Sequence, residues 1–317
     1  MKIAVTGANG YIGSAVVAKL LERNHQVIAL VREKTTHLSD KVEQISIGDL
    51  SKPDLINALE CAFQSIDGFD AFIHTAALAH NDDKNPDYPA LVKQVNIEAT
   101  TALAKLANRF NVGRFIFLSS IGVNGAVSKT PFTEDDVPNP HNYYSKCKYE
   151  AEQGLLSLSA KVKMEVVIIR PPLVYSHHAP GNFARLIKLI ESGFPLPFGS
   201  IKNKRSLLAL DNLVDFLVFC SDQKKTPLAK NQIFLVADGE DISTTELIEK
   251  IAFSLNKKSR LISVNSKIFF IFLKLIGKHK LYTRLFDSLQ INTSKAINLL
   301  GWLPKVTIDQ QLNKTKM

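Results

Sequence analysis

The chain is poor in cysteine, with three residues in 317, and Cys61, Cys147 and Cys220 stand far apart. An odd, scattered set argues against a disulfide framework and against a thiolate metal site. Reduced thiols in a cytoplasmic protein are expected instead. Long apolar runs are also missing. No stretch of about 18 uncharged apolar residues exists, so no membrane-spanning helix is expected. The opening Met-Lys-Ile-Ala-Val runs directly into Thr-Gly, with neither the apolar core nor the cleavage site of a signal peptide. Apolar residues make up 45% and charged residues 22%, which excludes a disordered chain, a coiled coil and a collagen. Internal repeats and low-complexity tracts are absent, and nucleic-acid binding is not expected because no recognition module is present.

Charge is plentiful but uneven. The formal net charge is +9, and the excess of Lys and Arg lies towards the C-terminus. Residues 250–284 hold nine basic side chains and no acidic one. Such a basic region suits an anionic partner, whether a phosphorylated small molecule or a membrane surface.

The apolar run Ile3-Ala4-Val5 is followed by Thr6-Gly7-Ala8-Asn9-Gly10-Tyr11-Ile12-Gly13. A helical pattern (Val16, Val17, Leu20, Leu21) and a second apolar run, 27–31, come next. This is a strand, a glycine turn, a helix and a strand, in about the 30 residues of a βαβ unit. The alternation predicts further strands at 44–47, 71–74, 114–118 and 165–169 and near 232–236. It predicts helices at 53–60, 88–109, 143–159 and 182–192. The fold class is therefore α/β, a doubly wound parallel sheet with helices on both faces. After Pro171-Pro172 the composition shifts. The expected division is a dinucleotide-binding domain over 1–172 and, over 173–317, a mainly substrate-binding smaller lobe with some segments returning to the sheet.

Glycines at 7, 10 and 13 between a strand and a helix let the backbone approach a pyrophosphate, whose charge the helix N-terminus then holds. Gly7, Asn9, Gly10, Tyr11, Ile12 and Gly13 are the expected cofactor contacts. At the end of the second strand an acidic residue would bind the ribose 2′-OH of NAD, whereas an arginine would pair with the 2′-phosphate of NADP. The chain reads Val31-Arg32-Glu33 there, so Arg32 tilts the choice towards NADP(H) over NAD(H). Asp49, after the third strand, stands where its carboxylate can accept from the adenine amino group.

Strand 114–118 runs into Ser119-Ser120, and 24 residues after Ser120 comes Tyr144-x-x-x-Lys148 in a helical context. Four residues make about one helical turn, so Tyr144 and Lys148 share a face. A tyrosine of ordinary pKa near 10 is a poor base. A nearby ammonium and an oxidised nicotinamide stabilise its phenolate. Ser120, Tyr144 and Lys148 are thus the expected catalytic residues: the serine holds a substrate oxygen, the tyrosine moves its proton and the lysine supplies charge and a ribose contact. Tyr143 has Cys147 at the fourth position and offers no cation. Metal ligation is not expected.

With these motifs in view, the chain resembles an extended short-chain dehydrogenase/reductase of the nucleotide-sugar epimerase/dehydratase family. The resemblance runs nearly end to end, through the glycine turn, Gly48-Asp49-Leu50, His74-Thr75-Ala76-Ala77, Asn96 with Thr100, Ser119-Ser120, Tyr144/Lys148, Arg170-Pro171-Pro172, Arg205 and Leu300-Gly301-Trp302-x-Pro304. It implies a Rossmann-type sheet with cofactor contacts at Leu50, Ala76, Asn96 and Pro171, His74 lining the cofactor, and a homodimer. It further implies that Asn182 and Arg205 contact the UDP part of a sugar nucleotide, with Arg284 near the diphosphate. Ser120 would touch the sugar. Family members that dehydrate across C5–C6 carry Asp-Glu directly after the catalytic hydroxyl, where this chain has Ile121-Gly122, so 4,6-dehydration is not expected. The family's Val-Tyr-Gly is here Val123-Asn124-Gly125.

The resemblance implies hydride transfer at C4 of a UDP-sugar in bacterial surface-polysaccharide synthesis. Arg32 favours NADPH-dependent reduction of a UDP-4-keto-6-deoxy-N-acetylhexosamine. The alternative is a UDP-glucose or UDP-N-acetylglucosamine 4-epimerase with tightly held NAD. A hydroxysteroid-type dehydrogenase would prefer an apolar lobe to arginines, and a non-catalytic binding protein would not need all of Ser, Tyr and Lys. Finally, Ser266 and Gly277 bracket an apolar segment too short to span a bilayer. Residues 266–277 are expected either as buried helix or interface or as a peripheral contact with anionic lipid at the inner face of the cytoplasmic membrane.

Overall fold

A computed structural model describes residues 1–52, 55–64, 68–79, 85–265, 269, 274–275 and 279–314. Seven parallel strands form the main sheet: β1 (Lys2–Thr6), β2 (Gln26–Val31), β3 (Glu43–Ser46), β4 (Ala71–His74), β5 (Arg114–Leu118), β6 (Glu165–Arg170) and β9 (Gln232–Leu235). Their order is β3-β2-β1-β4-β5-β6-β9. Ile3 pairs with Val27 on one side and with Ala71 on the other. The chain winds outward from β1 to β3, then returns to the other side of β1 at β4. That reversal opens a crevice at the carboxyl ends of β1 and β4, where doubly wound sheets bind ligands.

The central strands read as unbroken apolar runs because both faces of the sheet are covered. On one face, α1 (Tyr11–Glu22) and α7 (Leu210–Ser221) bury Val16, Val17, Leu20, Leu213 and Phe216. On the other lie α2 (Leu55–Gln64), α4 (Thr100–Arg109) and α5 (Tyr143–Ser159), with Leu59, Phe63, Leu103, Ala151 and Leu155 inside. Phe72 stacks on Phe115 across β4 and β5 at 5.0 Å between ring centroids.

The helix expected over 88–109 is divided. It runs as α3 (Tyr88–Lys93), a π-helical turn over Gln94–Ala99, and α4. The wider turn lies where buried Asn96 reaches back to the segment after β4, and such π segments are frequent at functional sites.

A second sheet joins β7 (Leu173–Tyr175) and β8 (Arg205–Ala209) in parallel, with β10 (Asp241–Ile242) antiparallel to β8. It packs with α6 (Asn182–Glu191) and α8 (Thr244–Ser254) around Tyr175, Phe183, Ile187, Phe198 and Ile248. Among the described residues the chain continues through the short helices α9 (His279–Phe286), α10 (Ser294–Leu300) and α11 (Ile308–Asn313). Among the described residues no helix is long and apolar enough to cross a membrane. The segment 266–277 lies almost wholly outside the described residues. Within it, Phe269 packs against Phe198 and Phe286, while Leu275 is exposed.

Candidate active site

The first turn of the site is built by close approach. Gly7 has φ +70°, a conformation that favours glycine, and a β-carbon on it would meet the Ala76 nitrogen at 2.8 Å. On Gly13 a β-carbon would lie 2.0 Å from the Gly7 carbonyl oxygen. Gly10 donates to that same oxygen at 2.8 Å and caps α1 without any side chain. The first N–H groups of α1 are thereby left to a ligand at the mouth of the β1–β4 crevice. Asn9 and Gly10 are exposed, whereas Tyr11 and Ile12 are half-buried. The Tyr11 hydroxyl donates to Ser176 Oγ at 2.8 Å, joining this turn to the strand–loop of the second sheet. Burial pushes the Tyr11 phenol up to about 12.

Arg32 follows β2 with its side chain 72% exposed, and its guanidinium lies 3.3 Å from Asp49 Oδ2. Asp49 Oδ1 accepts from the Ser51 N–H at 2.9 Å and from its hydroxyl at 2.8 Å. The backbone N–H, with further help from Ser51 and Arg32, holds the Asp49 carboxyl below its usual range. Leu50 packs against the apolar core. Asn96 is fully buried; its Oδ1 accepts from Leu78 N at 2.9 Å and its Nδ2 donates to Leu78 O at 3.0 Å. The chain carrying Ala76 past the glycine turn is thereby clamped. A cradle with no room for a β-carbon, a helix N-terminus with no side-chain cap and polar groups at the ends of β2 and β3 together fit a dinucleotide.

Ser120 stands just past β5 and caps a 3-10 turn over Ile121–Val123, its Oγ accepting from Gly122 N at 3.1 Å. The N-terminus of α5 packs directly on this turn. A β-carbon on Gly122 would lie 2.3 Å from Ser145 Oγ and 3.3 Å from Ser120 Oγ. Asn142 caps α5 by accepting from Ser145 N. That cap fixes the first turn of the helix, which carries Tyr144, and one turn further in is Lys148. The Lys148 ammonium donates to the Leu118 carbonyl at 2.8 Å and lies 4.4 Å from the Phe117 ring centroid and 5.9 Å from that of Tyr144.

Burial dominates the electrostatics here. It pushes the Tyr144 phenol well above its usual range, with Tyr88 adding to the effect. It pulls the Lys148 ammonium down to about 7, opposed by the charge of Glu152. Burial, aided by Lys148, holds His74 down to about 3. His74 is therefore a neutral ring, bonded to Thr6 Oγ1 at 2.6 Å and Thr100 Oγ1 at 2.9 Å. Among the described residues no cluster of side chains could hold a metal ion.

The two halves of the expected site differ in definition. Pro171 is buried, and its carbonyl accepts from Ile121 N. Arg205 begins β8 half-buried, and its Nη1 donates to the Asp287 carbonyl at 3.0 Å. Among the described residues its guanidinium has no ion-pair partner, which leaves it the charge to hold an anion. Asn182 opens α6 on the surface. Arg284 belongs to α9, but its side chain lies outside the described residues. Sequence reasoning missed Glu152, buried one turn beyond Lys148. Its signal was a carboxylate at helical spacing from the Tyr–Lys pair.

A profile of the NAD dependent epimerase/dehydratase family matches residues 3–237. The chain belongs to this family. It is 38% identical to the UDP-glucose 4-epimerase of Vibrio cholerae over 99% of this chain and 94% of that protein. It is 27% identical to the N-acetyl-alpha-D-glucosaminyl-diphospho-ditrans,octacis-undecaprenol 4-epimerase of Escherichia coli O157:H7, over 81% and 73% of the two chains. The fold matches that of UDP-glucuronic acid 4-epimerase from Bacillus cereus in complex with NAD, at a TM-score of 0.76 and 22% identity over 99% of this chain and 94% of that one. It matches that of the UDP-glucose 4-epimerase of Thermotoga maritima with UDP-glucose at the same TM-score and identity, over 99% and 96% of the two chains. The protein is accordingly an NAD(P)-dependent enzyme of the extended short-chain dehydrogenase/reductase type.

Proposed function

We propose that the protein transfers hydride at C4 of a UDP-sugar, with Ser120, Tyr144 and Lys148 as its catalytic residues. The observation that carries this reading is the packing of α5 against the turn after β5, which groups a serine, a half-buried tyrosine and a buried lysine beside a dinucleotide-fitting crevice. When bound, the nicotinamide supplies the hydride acceptor or donor. Ser120 Oγ holds the substrate oxygen on C4. Tyr144 passes a proton to or from that oxygen, and Lys148 stabilises the phenolate and bonds the ribose. Arg205, charged, half-buried and without an ion pair among the described residues, supports diphosphate recognition, with Asn182 and Arg284 as further contacts to the UDP portion.

Two features favour reduction of a 4-keto sugar. A phenol raised by burial is a proton donor at neutral pH, as the forming C4 alkoxide requires. The ion pair of Arg32 with Asp49 is exposed and worth only about 0–1 kcal/mol, so Arg32 can exchange it for the 2′-phosphate of NADPH. The second reading, 4-epimerisation with retained NAD, is favoured by the 38% identical Vibrio cholerae relative. Gly122 argues against 4,6-dehydration, because an acidic side chain at that position would collide with Ser145.

The deciding assay offers the purified protein UDP-4-keto-6-deoxy-N-acetylglucosamine with NADPH and, separately, UDP-N-acetylglucosamine and UDP-glucose without added cofactor. NADPH loss in the first alone supports the reductase. Inversion at C4 in either of the others supports the epimerase. No turnover in any of them overturns both readings.

We also infer a cytoplasmic homodimer, which light scattering tests. The basic, acid-free stretch 250–284 supports peripheral contact with anionic lipid through 266–277, and the relative named for an undecaprenol-linked sugar is consistent with work beside a membrane. Salt-sensitive sedimentation with anionic vesicles tests that contact.

A further inference from the structure

Glu152 is fully buried, four residues after Lys148 on the same helix face. Its Oε1 accepts from Ser119 Oγ at 2.5 Å and from Arg170 Nε at 3.0 Å, and its Oε2 accepts from Arg170 Nη2 at 2.6 Å. Arg170, also buried, donates through Nη1 to Asn124 Oδ1 at 2.9 Å. Asn124 Nδ2 in turn donates to the Thr133 carbonyl. The short segment that bears Ser120 is therefore fastened at both ends, at Ser119 by Glu152 itself and at Asn124 through Arg170.

We propose that Glu152 is a positioning residue of the reaction: its carboxylate locks the Ser120 segment to the helix carrying Tyr144 and Lys148. Taking a carboxylate and a guanidinium out of water is costly, and a buried pair is weak evidence for a stabilising role. Here every arm of the pair ends on the segment between β5 and α5 or on the helix of the Tyr–Lys pair. Among the described residues Glu152 is the carboxylate whose charge acts on Lys148. The groups facing it are the Leu118 carbonyl and Phe117 ring from β5, Tyr144 and Glu152 from α5, neutral His74 from β4, and Arg170 from β6 behind Glu152. Burial already draws the ammonium down to about 7, and the Glu152 charge is what opposes it. Without that charge the Lys148 ammonium is drawn lower still and supports the Tyr144 phenolate less.

The inference rests on Tyr144 as the proton-transfer group and on Lys148 as its cation. Its test reads the alkaline limb that Lys148 sets in the pH profile of kcat/KM, measured with the UDP-sugar turned over in the assay above and with Lys148→Arg as the variant that lacks the limb. In Glu152→Gln the limb should move to lower pH by about one unit or more. In the same variant kcat, read below the limb, should fall well beyond any change in KM, and Glu152→Asp should restore most of the loss. Glu152→Gln/Arg170→Gln removes both members of the pair, so it keeps the test open where the single variant folds poorly. The Arg170 charge then leaves with that of Glu152, so the limb should move the same way by less while the loss in kcat remains. A wild-type limb and wild-type kcat in the folded glutamine variants, with lowered thermal stability alone, would make Glu152 a structural partner of Arg170 and overturn the proposal. If Tyr144→Phe keeps wild-type turnover, the assignment of Tyr144 fails first and takes this inference with it.

Discussion

The Lys148 ammonium donates to the Leu118 carbonyl at 2.8 Å, which ties the helix of the Tyr–Lys pair to the last residue of the strand that precedes Ser120. One hydrogen bond thus sets the depth at which the cation sits beneath the Tyr144 ring. It also satisfies part of an ammonium that burial would otherwise leave without water.

Replacing Tyr144 with Phe removes the proposed proton-transfer hydroxyl and keeps the ring. The expected loss in kcat is about 10²–10⁴-fold, the usual contribution of a general acid–base group. Dinucleotide affinity, measured by fluorescence titration, should stay within a few-fold of wild type. Ser120→Ala should lose less, since in the proposed mechanism the serine orients the substrate oxygen without transferring its proton.

Lys148 loses its proton as the pH rises through about 7 in the free protein. A step that needs the ammonium should weaken on the alkaline side, so kcat/KM should fall as the pH climbs past that value. Lys148→Arg, which stays charged, should lack this limb even though the larger head group lowers the overall rate.

His74 gives a stability prediction of definite sign. Its folded pKa is about 3, against about 6.5 when unfolded, so between those values the unfolded chain binds the additional proton. Stability should therefore fall as the pH drops below about 6.5. Urea unfolding at pH 7 and pH 5 should show a smaller acid loss in His74→Gln, which cannot titrate.

Arg32→Asp should weaken NADPH binding far more than NADH binding, because it sets a carboxylate against the 2′-phosphate. The lost surface pair with Asp49 should cost no more than about 1 kcal/mol. Equal weakening of both cofactors would show that Arg32 does not reach the 2′-position.

Gly13→Ala should damage the cofactor turn itself. Its β-carbon would fall 2.0 Å from the Gly7 oxygen, a backbone atom that can retreat only if α1 moves off the turn. A lowered melting temperature and loss of NAD binding are expected together, by thermal shift with and without cofactor.

Much of this protein is local, and the sequence alone determined those parts. Unbroken apolar runs placed β1, β2, β4, β5 and β6, because strands covered on both faces need no polar alternation. The glycine spacing and the Tyr144–Lys148 spacing were legible because one turn and one helical repeat define them. The tertiary structure decided the rest. Helix α7 escaped the pattern because nine of its twelve residues are buried, which erases an amphipathic period. Strands β7 and β10, of three and two residues, are too short to carry one. The π turn at 94–99 follows no periodic signal and lies where Asn96 meets Leu78, a partner eighteen positions away. Burial, which is a property of the packed fold, raised Tyr144, lowered Lys148 and kept His74 neutral. The Glu152–Arg170 pair likewise exists only because β6 and α5 bring residues eighteen apart in the chain into one dry space behind Ser120.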